Sequence, residues 1–259
     1  MAGIPTYSNF TRSAMDVAET ATSVPAHALL EQCGLLPSPP ADAVMLDNAC
    51  GAGIVIVRLL ENLDASKRDA VSITCGDIDQ TMLDLTSQKM AANGWKVKVE
   101  RIDAQAVGFE DHHFTHVLMN FGPQLMTDPI LALKETYRIL RSGGRMGFTC
   151  WTEPGWIPSI KEIIPSFNPP TALASPWKDP NAIEGNLASL GFTDIMVSTL
   201  NFKTRDENLD SYLELMRLLL PKLLTGETAV AYDDHMREKY RKGDTEMSWQ
   251  ALIVSATKP

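Results

Sequence analysis

Paired cysteines, positive charge and long apolar runs are all scarce in this chain of 259 residues. The four cysteines, Cys33, Cys50, Cys75 and Cys150, are scattered and show no C-x-x-C spacing. That excludes a disulfide framework and a structural zinc site, and fits reduced thiols of a cytoplasmic protein. Lys and Arg number 23 against 32 Asp and Glu, for a formal net charge of −9. A nucleic-acid partner is therefore not expected, because such binding rests on cations that neutralise phosphates. No apolar run is long enough to span a bilayer, and "MAGIPTYSNFTRSAMDVAE" lacks the basic-then-apolar order of a signal peptide, so no membrane partner is expected either. No His or carboxylate pair stands at metal-ligand spacing, and none of the five histidines has a setting that marks it as a catalytic base; no metal is expected, and no catalytic residue is assigned.

What is present is an ordered alternation of strand and helix patterns. Residues 1–36 carry apolar positions at helical spacing and end near Gly34, and "PSPPA" reads as a linker. "AVMLDNA", "AVSITCGDI", "KVKVERID", "THVLMNF" and "RMGFTCW" read as short apolar strands. "GIVIVRLLENL", "QTMLDLTSQKMAANG" and "DPILALKETYRILRSGG" read as the helices between them. Residues 152–185, rich in Pro and Trp, break the pattern; "GNLASLGFTDIMVSTLNF" restores a helix and a strand, residues 206–243 are helical, and "MSWQALIVSATKP" is a terminal strand. The order predicts an α/β fold: a doubly wound, mostly parallel, seven-stranded sheet with N-terminal helices and a helical insert as cap.

The stretch "LDNACGAGIV", residues 46–55, lies at the tip of the first strand, where an open α/β sheet binds ligands and where small residues let backbone N–H groups approach them. A phosphate-binding P-loop needs Gly-Lys-Ser/Thr, and Gly53 is followed by Ile54-Val55. A nicotinamide fingerprint needs a third glycine where Ile56 stands. The pattern that remains, Asp47-x-Ala49-x-Gly51-x-Gly53, resembles motif I of the class I S-adenosylmethionine (SAM)-dependent methyltransferases. Ala49 departs from the usual glycine and suits the position if its φ stays negative. Further landmarks follow in family order: "CGDIDQTML", "RIDAQ", the segment "HFTHVLMNFGPQLMTDPILALKETYRILRSGGRMGFT", and "LASLGFTDIMVSTL".

The resemblance implies SAM as cofactor and a single domain: residues 1–40 as an N-terminal helical lid, 41–151 as the SAM-binding core, and 152–259 as cap insert and C-terminal strands. It implies that Asp47 orients the glycine loop or serves the methionine amine, that Asp77 bonds the ribose hydroxyls, and that Asp103 or the backbone of Ala104 meets the adenine amine. Ile78 and Met82 stand where adenine would be sandwiched, unless they are plain core. Asn120 and Phe121 would touch the methionine moiety, and Arg12 its carboxylate, unless it is a surface arginine. Asp79 reads as the cap of the following helix. For the acceptor, Trp151 and Trp156 would form an aromatic wall or pack the insert, Gln124 would hydrogen-bond the acceptor, and Tyr7 would lie in the segment that folds over the cofactor. The implied function is methyl transfer to an O, N or S atom of a small molecule, a secondary metabolite for instance, with thiol methylation one specific case. The alternatives are a SAM-fold protein that catalyses without methylating or merely binds, and a protein methyltransferase; "NFGP" after the fourth strand lacks the Asn/Asp-Pro-Pro-Tyr pattern that would favour methylation of macromolecules. A monomer or homodimer is expected.

Overall fold

The computed structural model describes residues 9–169 and 176–259. One sheet runs through it, made of β1 (Val44–Asn48), β2 (Ser72–Asp77), β3 (Lys98–Arg101), β4 (Phe114–Met119), β5 (Leu140–Glu153), β6 (Thr193–Arg205) and β7 (Glu246–Thr257). The strand order is β3-β2-β1-β4-β5-β7-β6. The first five strands are parallel, and β7 runs antiparallel to both β5 and β6. The order reverses at β1, which pairs with β2 on one side and β4 on the other, and the carboxyl ends of β1 and β4 are where open α/β sheets bind ligands.

The described helices are α1 (Arg12–Gln32), α2 (Ile54–Glu61), α3 (Ala65–Ala70), α4 (Gln80–Ala92), α5 (Pro129–Ile139), α6 (Ile157–Ile163), α7 (Pro180–Ser189), α8 (Leu209–Leu219) and α9 (Gly226–Arg241). Side chains alternate across the sheet, so neighbours on β1 feed different cores: Met45 packs with Leu29 of α1, Val55 of α2 and Leu83 of α4, while Leu46 packs on the other face with Leu133 of α5 and Leu187 of α7. Both faces of β1 are covered, which is why "VMLDN" is apolar on successive residues instead of alternating. The edge strand β6 has no fully buried residue. A third cluster, with Trp156, Ile160, Leu213, Met216, Tyr232 and Met236, joins α6, α8 and α9 into the cap. α1 spans the two bodies: Leu29 and Leu30 are buried in the sheet core, Val17 packs on the cap cluster, and Ser13 Oγ donates to Glu214 of α8 at 2.9 Å.

The architecture follows the sequence expectation closely, with instructive exceptions. The helix read over residues 128–144 stops at Ile139, and Leu140 is extended (φ −71°, ψ 141°). The Gly pair then lies within β5, where Gly143 N donates to Lys258 O at 2.7 Å, and Lys258 Nζ reaches the carbonyls of Tyr137 and Leu140 at 2.7 and 2.8 Å. Pairing with the chain's C-terminal strand overrides local helix propensity there. The expected N-terminal helical region is α1 alone in the described residues, and Tyr7 lies outside them. Among the described residues no helix is long and apolar enough to cross a membrane.

Gly147 in the middle of β5 marks the closest approach of α1 to the sheet. A Cβ there would stand 2.4 Å from Cys33 Sγ and 2.8 Å from Leu29 Cδ1. Gly147→Ala is therefore expected to destabilise the fold by about 1–3 kcal/mol through overpacking, read as a lowered midpoint in urea denaturation with an unchanged slope.

Candidate functional site

The loop after β1 is bare backbone, and most of its polar groups are hydrogen-bonded within the protein. Cys50 N donates to Gly76 O at 2.9 Å and Gly53 N to Cys50 O at 2.9 Å. Gly51 N donates to Asp77 Oδ2 at 2.8 Å, and Gly51 O accepts from Thr86 Oγ1 at 2.8 Å. Ala52 O accepts from Lys89 Nζ at 3.2 Å. Gly51 and Gly53 hold φ values of 54° and 81°, in the left-handed region that glycine enters without penalty. A Cβ on Gly51 would meet no atom within 4 Å, so this loop faces open space. Ala49 is the exception to the expectation: its φ is +57°, not negative, so the residue that replaces the usual glycine carries backbone strain.

Asp77 ends β2 and is nearly buried. Its two oxygens accept from the backbone N–H groups of Gly51 and Asp79, at 2.8 and 2.9 Å, and a carboxylate of this kind has capacity for a further donor. Burial raises its carboxyl above the usual range, and those backbone donors pull it back down. Asp47 is fully buried, and neither of its oxygens has a partner; the amide of Asn48 is equally unpartnered. Burial pushes the Asp47 carboxyl well up, with the nearby Asp77 adding to the effect. Asp79 caps α4 as expected, accepting from Thr81 N at 2.8 Å. Ile78 is 41% exposed beside these groups, whereas Met82 is only 2% exposed and lies in the interior, one helical turn in from the Asp79 cap. Of the two readings of Met82, adenine contact or plain core, its burial accords with the second. Asp103 accepts from Gln105 N at 2.9 Å, closing a turn after β3 that buries Ala104.

At the end of β4, Asn120 and Phe121 form a second fixed corner. Asn120 Nδ2 donates to Thr22 O of α1 at 3.2 Å, and its Oδ1 accepts from Thr149 Oγ1 of β5 at 2.7 Å. Thr149 Oγ1 in turn accepts from Phe121 N at 2.9 Å. Phe121 has φ 61°, a second strained non-glycine position at the same sheet edge. Its ring stacks on Trp151 at 4.0 Å and 8°, and Trp151 continues to Trp249 at 5.1 Å. Both ends of the Gln124 amide bind the main chain of Trp151, with Nε2 donating to its carbonyl at 2.9 Å and Oε1 accepting from its N–H at 2.5 Å. In this arrangement the Gln124 amide holds the main chain of Trp151 in place. Trp156 is 8% exposed and packs in the cap cluster near Phe167, the packing alternative to an aromatic wall. Arg12 is exposed in the first turn of α1 and borders a cavity of about 90 Å³ with Ala52 and Gln88, which brings it to the glycine loop. His116 lies at the far, amino-terminal half of β4, and burial pushes its pKa down to about 4.

Residues missed in the sequence are those that hold the loops: Thr86, Lys89 and Thr149, and the aromatic Trp249. One signal was available for Thr86. It sits four residues from Met82 and from Met90 on the buried stripe of α4, where a hydroxyl needs a hydrogen-bond partner.

These groups can do two things. The unpartnered buried oxygens of Asp47, the Asn48 amide, the remaining acceptor capacity of Asp77 and the open space before Gly51 fit a ligand that brings hydrogen-bond donors and an apolar ring to the ends of β1 and β2. SAM has those features. The neutral corner at Asn120, Phe121 and Trp151 can orient a second, flat or apolar molecule beside it. Among the described residues no group of three or more His, Cys, Asp or Glu side chains could hold a metal ion.

A protein-family model described as a methyltransferase domain matches residues 45–144, from β1 into the start of β5. Methyltransferase tpcH of Aspergillus fumigatus is 28% identical over 260 aligned residues, which cover 90% of this chain and 91% of that protein. Acetylaranotin bis-thiomethyltransferase of Aspergillus terreus is 26% identical over 277 aligned residues, covering 95% and 94% of the two chains. Among solved structures, the YcgJ protein of Bacillus subtilis superposes with a TM-score of 0.60 at 15% identity, over 91% of this chain and 98% of that one, a likeness of fold.

Two measurements follow from the site's strain and buried charge. Ala49→Gly is expected to stabilise the protein by about 0.5–1 kcal/mol, since glycine relieves the left-handed backbone but adds entropy to the unfolded chain; thermal denaturation reads the gain. For Asp47 the folded-state carboxyl titrates above its unfolded value of 3.8, so the unfolded chain loses its proton first and stability falls as pH rises from there toward the folded value. Asp47→Asn removes that loss. The variant should match the wild type in urea denaturation near pH 4 and exceed it at pH 8; equal differences at both pH values would show that Asp47 is ionised in the folded protein.

Proposed function

We propose that the chain is a class I S-adenosylmethionine-dependent methyltransferase and that it methylates an O, N or S atom of a small secondary metabolite, with thiol groups among the acceptors. The observation that carries this reading is the stacked pair Phe121–Trp151 at the carboxyl ends of β4 and β5, next to the glycine loop and beside the cap. Such a corner suits a flat or apolar small molecule. Full-length similarity to fungal methyltransferases, one of them named as a bis-thiomethyltransferase, supports the choice of acceptor class.

In this reading Asp77 holds the ribose hydroxyls of the cofactor, and the Gly51–Gly53 backbone lies along its methionine part, where Asp47 and Asn48 supply the polar atoms that lack partners. Ile78, exposed beside Asp77, covers one adenine face, and Asp103 and Ala104 border its edge. Arg12 and Asn120 flank the methionine end. The bound cofactor supplies a methyl carbon already activated by its sulfonium. What the protein adds is alignment and exclusion of water: Phe121 and Trp151 wall the acceptor, Gln124 fixes Trp151, and the cap closes the edge. The chain acts in the cytoplasm in this proposal, as a monomer or homodimer.

Isothermal calorimetry with SAM and S-adenosylhomocysteine tests the cofactor site. Asp77→Ala is expected to weaken both by on the order of 2–3 kcal/mol, since it removes charge-assisted hydrogen bonds. Unchanged affinity would take Asp77 out of the site. A screen of thiol, phenol and amine acceptors with methyl-labelled SAM, read by product mass, then tests the reaction; a product of unchanged mass would point to a non-methylating catalyst. With an acceptor in hand, Trp151→Ala is expected to lower kcat/KM for it more than about tenfold, near 1.4 kcal/mol, while SAM affinity holds.

A further inference from the structure

The glycine loop is gripped from behind by two side chains of α4. Thr86 donates to the carbonyl of Gly51, and one turn on Lys89 donates to the carbonyl of Ala52. Lys89 has a second partner: its ammonium also pairs with the carboxylate of Glu19 on α1. Both side chains are largely buried, at 20% and 17% exposure. An ion pair this enclosed owes its stability to geometry and to further hydrogen bonds, not to charge alone. Burial raises the Glu19 carboxyl, and Lys89 counters it. One helical turn further along α1, the carbonyl of Thr22 accepts from Asn120 at the end of β4. α1 is thus tied to the site at two points, one through the glycine loop and one through the β4 corner.

We propose that Lys89 is a positioning residue for the cofactor loop and that Glu19 latches α1 onto it, so that docking of α1 and binding of the cofactor reinforce each other. The Lys89 ammonium is the shared element. Held by Glu19, it is aimed at Ala52 O and keeps the loop in the shape that leaves Gly51 facing open space. A cofactor that packs against the ordered loop favours the Lys89 position in which Glu19 is paired, and so favours docked α1. By linkage the coupling is reciprocal: whatever loosens α1 weakens the cofactor. The inference rests on the SAM site proposed above.

The test uses the full chain and S-adenosylhomocysteine as probe, with calorimetric affinity, hydrogen exchange of the α1 amides and the thermal midpoint measured on each variant. Wild type is expected to exchange more slowly in α1 when the probe is bound. Lys89→Met should weaken the probe about tenfold and abolish that slowing, while Lys89→Arg, which keeps the donors, should restore both. Glu19→Gln should speed α1 exchange and weaken the probe by less than Lys89→Met does. The double exchange Glu19→Lys with Lys89→Glu separates the two roles: it rebuilds the ion pair but offers Ala52 O no donor, so α1 protection should return and affinity should not. Wild-type affinity in a folded Lys89→Met variant would overturn the positioning role, and α1 exchange that ignores the probe would overturn the coupling. A wild-type chain that fails to bind the probe at all would instead overturn the cofactor site itself.

Discussion

The molecule is organised around a stretch of backbone that must stay bare and yet stay still. Residues 49–53 leave the end of a strand buried on both faces and enter a helix within a few residues. Their side chains are small, so apart from the Gly53 N to Cys50 O hydrogen bond little on the loop itself fixes its shape. The fixing comes from neighbours: Gly76 and Asp77 at the end of β2, and Thr86 and Lys89 on α4. Each is a single hydrogen bond of modest net value, about 0.5–1.5 kcal/mol. Together they account for the backbone polar groups that a ligand would otherwise have to order.

Strain and unpaired polarity are both present at this edge, as they are at a few other places in the described residues. Ala49 and Phe121, both at left-handed φ, are placed where β1 and β4 end. Asp47 and Asn48 carry buried atoms without partners just before the loop. Strained backbone and unsatisfied polar groups cost stability, and a fold retains them where the geometry serves a ligand. The rest of the sheet compensates with two apolar layers, in which Met45 and Leu46 anchor opposite sides of one strand.

α1 connects what the linear order separates. Its C-terminal half is part of the sheet core, its N-terminal half touches the cap, and between them Glu19 and Thr22 face the site. The boundary expected near residue 40 is thus a change of role along the chain and not a break in packing. The same holds at residue 152: the segment beyond it contributes a cap and also the two strands that complete the sheet.

The order of strands and helices was legible because apolar periodicity and turn glycines are local properties of the chain. The glycine loop and the acids Asp47, Asp77 and Asp79 were legible for the same reason, since position relative to a strand end is a matter of spacing. The ends of elements were less so: α5 yields to β5 at Leu140 because Lys258, far along the chain, supplies hydrogen-bond partners there. Side-chain roles needed tertiary contacts. Gln124 grips Trp151, Trp156 turns into the cap, Met82 sinks into the core and Ala49 takes a positive φ. None of these could be read from spacing, since each depends on which neighbours the fold delivers. By itself the sequence determined that bare backbone would stand at the end of β1, because a parallel sheet with small residues at its central turn leaves backbone exposed there. Only the tertiary structure decided which residues hold that backbone in shape, because Lys89, Glu19, Asn120 and Thr149 meet across separations along the chain that no local pattern encodes.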